Sequence, residues 1–241
     1  MVLESTILLL ASALGALAGP ITKLPAELPV TVIEGASKDL AGLELSQASE
    51  AILDYHRRLG RERHTRAPSS KGGFATATVR VQARAPHAVL NATAVRDWFA
   101  NAGVGWPNDL LNVQPEHYLA LSGPGVRQPG DVVEVIERWG PGPVTSFHAV
   151  PEPKLSFMPA LDEFPVESQV PLALVLSDGT VFSHTLTGFR DLPGGNGVDI
   201  YEGAWVPDST PHEIVKGLQA HNTVEFSNWM RFTYKKALAT L

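Results

Sequence analysis

Apolar and polar residues alternate strictly from Phe74 to Arg84, with Ala75, Ala77, Val79, Val81 and Ala83 on one side and Thr76, Thr78, Arg80, Gln82 and Arg84 on the other. A period of two predicts a strand with one buried face. Ala85-Pro86 stops it, after which Val89, Val95, Trp98 and Phe99 recur at helical spacing within residues 87–101. Further strands are expected over 117–121, 131–139, 144–150 and 154–158. The clearest hairpin joins 172–177 to 180–187 through Asp178-Gly179, because Asp-Gly readily supplies the positive φ angles of a two-residue type I′ turn. A glycine-rich turn at 193–197 leads into a strand over 198–206. Thr210-Pro211-His212-Glu213 has the spacing of a capping box with proline at the first helical position. The helix it opens runs to about Leu238, with Leu218, Asn222, Phe226, Trp229 and Thr233 along one stripe.

The order is strand, helix, a meander of about six strands and one long helix, which predicts an α+β fold. A meander leaves one apolar face to be covered, and only residues 210–238 are long enough to lie across it. A curved antiparallel sheet wrapped around that C-terminal helix encloses a cavity between them. Upstream, residues 20–36 are proline-spaced and read as an extended arm, and 46–59 as a helix carrying Ala48, Ile52, Tyr55 and Leu59 on one stripe. The expected organisation is therefore a signal peptide over 1–19, an arm with helix and basic linker over 20–73, and a ligand-cavity domain over 74–241.

The signal-peptide reading rests on the apolar run from Ile7 to about Leu17, its small-residue exit Ala18-Gly19, and a length too short to span a bilayer. Glu4 without any Lys or Arg in the first residues leaves an uncleaved anchor or a buried helix open. Entry into the secretory pathway would make Asn91-Ala92-Thr93 a glycosylation acceptor at Asn91. Residues 57–71 hold six basic residues against one acid. They read as a solvated helix end and tether, a processing site at Arg57-Arg58, or a docking site for an acidic partner or lipid head group.

Among 241 residues there is no cysteine, which excludes disulfides, Cys-type zinc sites, iron–sulfur clusters and thiol nucleophiles. A net charge of −6 gives no general attraction to nucleic acid. Gly-x-Ser-x-Gly, Walker-type and His-Glu-x-x-His motifs are missing. The eight histidines never fall at i,i+2 on a strand, and His212 and His221 do not share a helix face, so no metal site and no cofactor are expected.

Candidate chemistry therefore lies in aromatic and polar residues on the strands. Phe182, His184 and Leu186 share one face by alternation, as do Tyr201 and Trp205 on either side of Gly203, where the missing side chain leaves room for another group. Trp139, Phe147 and Phe157 add to this set, Trp229 lies on the closing helix, and Arg190 stands at the mouth. Each aromatic can equally be plain core, His184 a hydrogen-bonded core histidine, and Arg190-Asp191 a turn salt bridge. The functional reading makes His184 and Tyr201 the donors of an apolar pocket walled by Trp139, Phe147, Phe157, Phe182, Arg190, Trp205 and Trp229. Glu134 and Arg138 share the strand face opposite Val133, Val135 and Trp139, and read as a solvated outer face.

Residues 74–240 resemble the START/Bet v 1-like helix-grip superfamily, which includes polyketide cyclases and lipid or hormone carriers. The resemblance is carried by 79–86 (VRVQARAP) with Val89 and Trp98, by 126–131 (VRQPGD), by 150–157 (VPEPKLSF), and by the last helix with Trp229. Residues 106–116 and 159–171 depart from the pattern and read as lids. The resemblance implies either a cofactor-free cyclase or pericyclase working on an apolar terpenoid or polyketide intermediate, or a secreted, non-catalytic carrier of such a molecule. In class alone, the first is similar to the fungal hetero-Diels–Alderases. A third reading is an interaction protein using its basic arm. The expected partner is an apolar small molecule, without nucleic acid and without a membrane span once the signal is removed; the oligomeric state stays open.

Overall fold

The computed structural model describes residues 28–34, 73–105, 113–114, 116–122, 133–142, 144–176 and 179–240. The expected signal peptide, the 46–59 helix, the basic stretch with Arg57-Arg58, the 126–131 segment and most of the first lid lie outside them.

Eight antiparallel strands form one sheet in the order β1-β2-β8-β7-β6-β5-β4-β3. They are β1 (Val30–Glu34), β2 (Phe74–Ala83), β3 (His117–Ser122), β4 (Val133–Arg138), β5 (Val144–Pro151), β6 (Gln169–Val175), β7 (Val181–Asp191) and β8 (Val198–Pro207). Among the described residues two α-helices accompany them, α1 (Ala92–Gly105) and α2 (His212–Leu238). This is the expected helix-grip architecture: a meander from β3 to β8 closed by β2, with the long last helix on one face. Among the described residues no helix is long and apolar enough to cross a membrane.

The inner face, toward α2, is set by the alternation. Val79, Val81 and Ala83 of β2, Phe189 of β7 and Val198 and Ile200 of β8 pack with Phe226, Trp229, Met230 and Tyr234 of α2. All of the predicted α2 stripe is buried. Burying each large side chain is worth about 1.5–3 kcal/mol, so this layer fixes the helix on the sheet.

Several expectations change. Part of the presumed arm belongs to the sheet, since β1 pairs with β2 and Leu28 is buried in the same core. The closing pair of the β6–β7 hairpin is Leu176 and Thr180: Leu176 N–H donates to Thr180 O and Gly179 N–H to Leu176 O, with Gly179 at φ 86° in the left-handed region. A β-bulge then sets Val175 opposite Val181 and Leu174 opposite Ser183. Residues 154–158 form no strand, the chain turning at 156–157, with Pro151 and Pro153 interrupting the backbone donors of a ladder. No capping box forms at α2: Pro211 occupies the N-cap without a side-chain bond, and Thr210 N–H turns back to Pro207 O.

At α1, Asn91 Oδ1 accepts from Ala94 N–H at 2.8 Å, and Asp191 Oδ1 accepts from Ala92 N–H at 2.8 Å. Asn91 is thus a helix cap, which by itself accounts for an Asn at this position. Asn91→Ala should lower stability by about 1 kcal/mol, whereas Asn91→Asp keeps the cap while destroying the glycosylation acceptor. Denaturant midpoints of both variants check this; equal losses in the two would show that the cap is not what matters.

Candidate functional site

The inner face changes character where it meets the middle of α2. Along β4 the inward positions read Val135, Glu137 and then Trp139, and along β8 they read Val198, Ile200, Glu202, Ala204 and Val206. Each set interrupts an apolar series with one carboxylate, and both Glu137 and Glu202 are buried. From α2 come His221 and, one turn on, Glu225; from the start of β3 come Glu116 and His117.

These groups converge. His117 Nε2 lies 2.9 Å from Glu137 Oε2 and 3.2 Å from His221 Nε2. Glu225 Oε2 is 3.7 Å from His221 Nε2 and 3.9 Å from His117 Nε2, while Glu225 Oε1 accepts from Trp229 Nε1–H at 3.2 Å. Glu137 Oε1 accepts from Trp139 Nε1–H. His221 Nδ1 is 3.1 Å from both Glu116 Oε2 and Arg138 O; both neighbours are acceptors, so Nδ1 carries the hydrogen. Glu116 Oε2 also accepts from Gly140 N–H at 3.1 Å. Gln114 ties the loop to the helix by donating to His221 O at 2.6 Å.

The electrostatics divide the acids. Burial opposes ionisation of Glu137, but attraction to His221 and His117 and the hydrogen bonds from His117 and Trp139 outweigh it and hold the carboxyl below its usual range. Among the described residues Glu202 has no cationic partner. Burial, with a smaller contribution from Glu225, pushes it up to about 8 against the opposing bond from Thr187 Oγ1–H at 2.5 Å. At neutral pH the inner face therefore holds a protonated carboxyl on β8 and an ionised one on β4. Burying polar and charged groups costs several kcal/mol apiece, and apolar residues would fill the space at no loss of stability, which marks the cluster as a functional candidate.

Of the site residues read from the sequence, Trp139, Phe147 and Phe182 meet on the inner side. Phe182 stacks on Trp139 with ring centroids 5.7 Å apart and meets Phe147 edge-on at 5.6 Å. The β7 bulge turns Phe182 away from the face of His184 and Leu186, so the expected three-residue face does not exist. Trp229 is fully buried in the core under α2.

The other five stand on the opposite, outer face, and His184 and Tyr201 are not donors of the space between sheet and helix. Alternation fixed which residues go together but not which set faces α2. His184 Nδ1 donates to Glu152 Oε1 at 2.8 Å and its ring meets Phe74 and Phe157 edge-on. Tyr201 and Trp205 lean over Gly203 and fill the room it leaves: a Cβ there would meet Trp205 at 2.6 Å and the Tyr201 hydroxyl at 2.9 Å. Burial, aided by Glu202 and Glu34, pushes the Tyr201 phenol up to about 12, so it stays protonated. Arg190 pairs with Asp199 at 2.7 Å and with Glu163 at 2.8 Å, not with Asp191. Residues 159–171 close over this outer face, where Met158, Leu161 and Phe164 pack on Leu186 and Trp205. The Gln169 amide pins that segment by donating to Phe164 O at 2.9 Å, which makes it a packed cover of the outer face and not a lid over the inner one.

No protein-family model and no curated protein matches the chain. Among solved structures the chain is similar to the solution structure of KanY protein, at 11% identity over 67% of this chain and 98% of that one, with a TM-score of 0.44. It is also similar to the crystal structure of Ara h 8.0201, at 10% identity over 66% of this chain and 98% of that one, with a TM-score of 0.42.

Proposed function

We propose that the protein is a small-molecule enzyme of the cyclase type. It binds an apolar carbonyl compound of terpenoid or polyketide kind between the inner sheet face and α2, and closes a ring by proton transfer at the buried carboxyl and imidazole groups. The observation that carries this reading is the pairing on one face of a carboxyl that keeps its proton, Glu202, with a carboxyl that has lost it, Glu137 beside His117. Two acids whose surroundings drive them apart supply a donor and a base at the same pH. Glu202 donates to the carbonyl oxygen and the His117–Glu137 pair takes up the proton released elsewhere on the same substrate, each such contribution being worth about 10²–10⁴-fold. Trp139, Phe147 and Phe182 with Leu174 offer the apolar wall that holds the chain in near-attack geometry. The pericyclic form of the reading, an addition like that of the hetero-Diels–Alderases, needs only the donor and the wall. A secretory location and a glycan on Asn91 belong to the same proposal, with peptide mapping of the native protein as their check.

Native mass spectrometry of the protein from its producing cells should detect an apolar adduct. Incubation of candidate carbonyl compounds with the wild type should give a ring-closed product, strongly reduced in Glu202→Gln and retained in Tyr201→Phe on the outer face. A ligand held but returned unchanged would make the protein a carrier; the reverse order of the two variants would return the site to the outer face.

A further inference from the structure

We propose that His117, His221, Glu137 and Glu225 form a binding site for one divalent transition-metal ion, with zinc the ion their two imidazoles and two carboxylates suit best. The two Nε2 atoms face each other at 3.2 Å, and both are approached by carboxylate oxygens of Glu137 and Glu225. Two ligands at the usual 2.0–2.1 Å from a tetrahedral zinc lie about 3.3 Å from one another. The distances here are 3.2 Å between the imidazole Nε2 atoms, 2.9 Å from Glu137 Oε2 to His117 and 3.8 Å from Glu137 Oε1 to His221. Those from Glu225 to the same rings are 3.9 and 3.7 Å. Ligand atoms of His117, Glu137 and His221 all lie within 4.8 Å of one another. An ion among His117, Glu137 and His221 meets three donors, and Glu225 Oε2, 3.7 and 3.9 Å from the two imidazole nitrogens, reaches it as the fourth by a larger side-chain movement.

The surroundings have the form that metal-ligating histidines require. His221 Nδ1–H points at Glu116 Oε2 and Arg138 O, which fixes the ring and turns the Nε2 lone pair toward His117. Glu116 is held in turn by Gly140 N–H, and Glu137 by the Trp139 indole, so neither carboxylate is left to find its own orientation. Imidazole ligands select transition metals over calcium or magnesium, whose sites are built from oxygen. The inference does not depend on the catalytic reading, and an ion here would occupy the His117 and Glu137 atoms that reading uses as its base.

The test is a calorimetric titration of Zn²⁺ alone into the full chain after dialysis against a chelator. The wild type should bind one equivalent and show a higher melting temperature in the loaded form. Glu116→Gln should weaken binding about 10–100-fold, as removal of a partner of a metal-bound histidine does. His117→Gln/His221→Gln should abolish the one-equivalent phase. Circular dichroism confirms that the variants are folded. If they are not, Co²⁺ added to the wild type provides the reading, by shifting or broadening the ring-proton resonances of two histidines out of eight. Absence of saturable one-to-one binding, survival of it in the double variant, or cobalt effects on other histidines only would overturn the proposal. The measurement uses no substrate, so zinc binding without turnover keeps this site and removes the catalytic reading. Turnover by a protein that binds no zinc does the reverse.

Discussion

Gly217→Ala is expected to destabilise the protein by about 1–3 kcal/mol and to loosen the imidazole–carboxylate cluster, although alanine in a helix interior ordinarily stabilises by roughly 0.5–1 kcal/mol. The sign reverses because of what stands opposite. A Cβ on Gly217 would lie 2.8 Å from Trp139 O and 2.9 Å from Gly140 Cα, both backbone atoms that no rotamer change can move. Gly140 is at φ 56°, and a Cβ there would in turn meet Gly217 Cα at 2.7 Å. Two glycines thus bring α2 onto the end of β4, and His221, one turn beyond Gly217, reaches Glu116 and Arg138 O because of it. Lys216→Ala, exposed and one residue away, should stay within about 0.5 kcal/mol. Thermal melts of the two variants, with the His221 ring resonances as a local probe, decide it. A Gly217→Ala protein as stable as the wild type, with unshifted His221 signals, would mean that the close approach does not position the helix.

The same contact shows how much of the molecule was legible beforehand. The strands at 74–83, 181–191 and 198–207 and the helix at 212–238 follow from local periodicity, and so does the architecture, because a one-faced meander has to be covered and the 212–238 helix is long enough to cover it. Periodicity assigns residues to a face without saying which face is inside. For β8 both faces carry large side chains, Val198, Ile200 and Val206 on one and Tyr201 and Trp205 on the other, so side-chain size alone points to the aromatic set as the cavity face. It packs instead under the 158–164 segment. A usable signal was present: Glu137 among Val133, Val135 and Trp139, and Glu202 among Val198, Ile200, Ala204 and Val206, each a lone carboxylate on an apolar face. A carboxylate with no local partner, held at a position that burial makes expensive, points to chemistry more sharply than aromatics do. The histidines were invisible for a different reason. His117 and His221 are 104 residues apart and meet only because β3 lies at one edge of the sheet while α2 crosses to it, a relation that spacing along the chain does not encode.

Glu202→Gln is expected to change the pH dependence of stability by roughly 3–5 kcal/mol between pH 5 and pH 9 relative to the wild type. The folded chain raises this carboxyl to about 8, chiefly through burial, while the unfolded chain titrates it near 4.5. Below the lower value both states hold the proton and the group's contribution is complete. As the pH rises between the two, the unfolded state ionises and the folded state does not, so stability is lost progressively until the folded carboxyl also gives up its proton near pH 8. Glutamine reproduces the shape of the neutral acid and still accepts from Thr187 Oγ1, but has nothing to titrate. The variant should be equal to the wild type or slightly weaker at pH 5, and clearly more stable at pH 9. Glu137, held low, acts in the opposite sense in both proteins and cancels from the difference. Urea midpoints for the pair at pH 5, 7 and 9 give the result directly. A difference that does not move with pH would mean that Glu202 is already ionised at neutral pH, and would take from the inner face the proton donor on which its proposed chemistry depends.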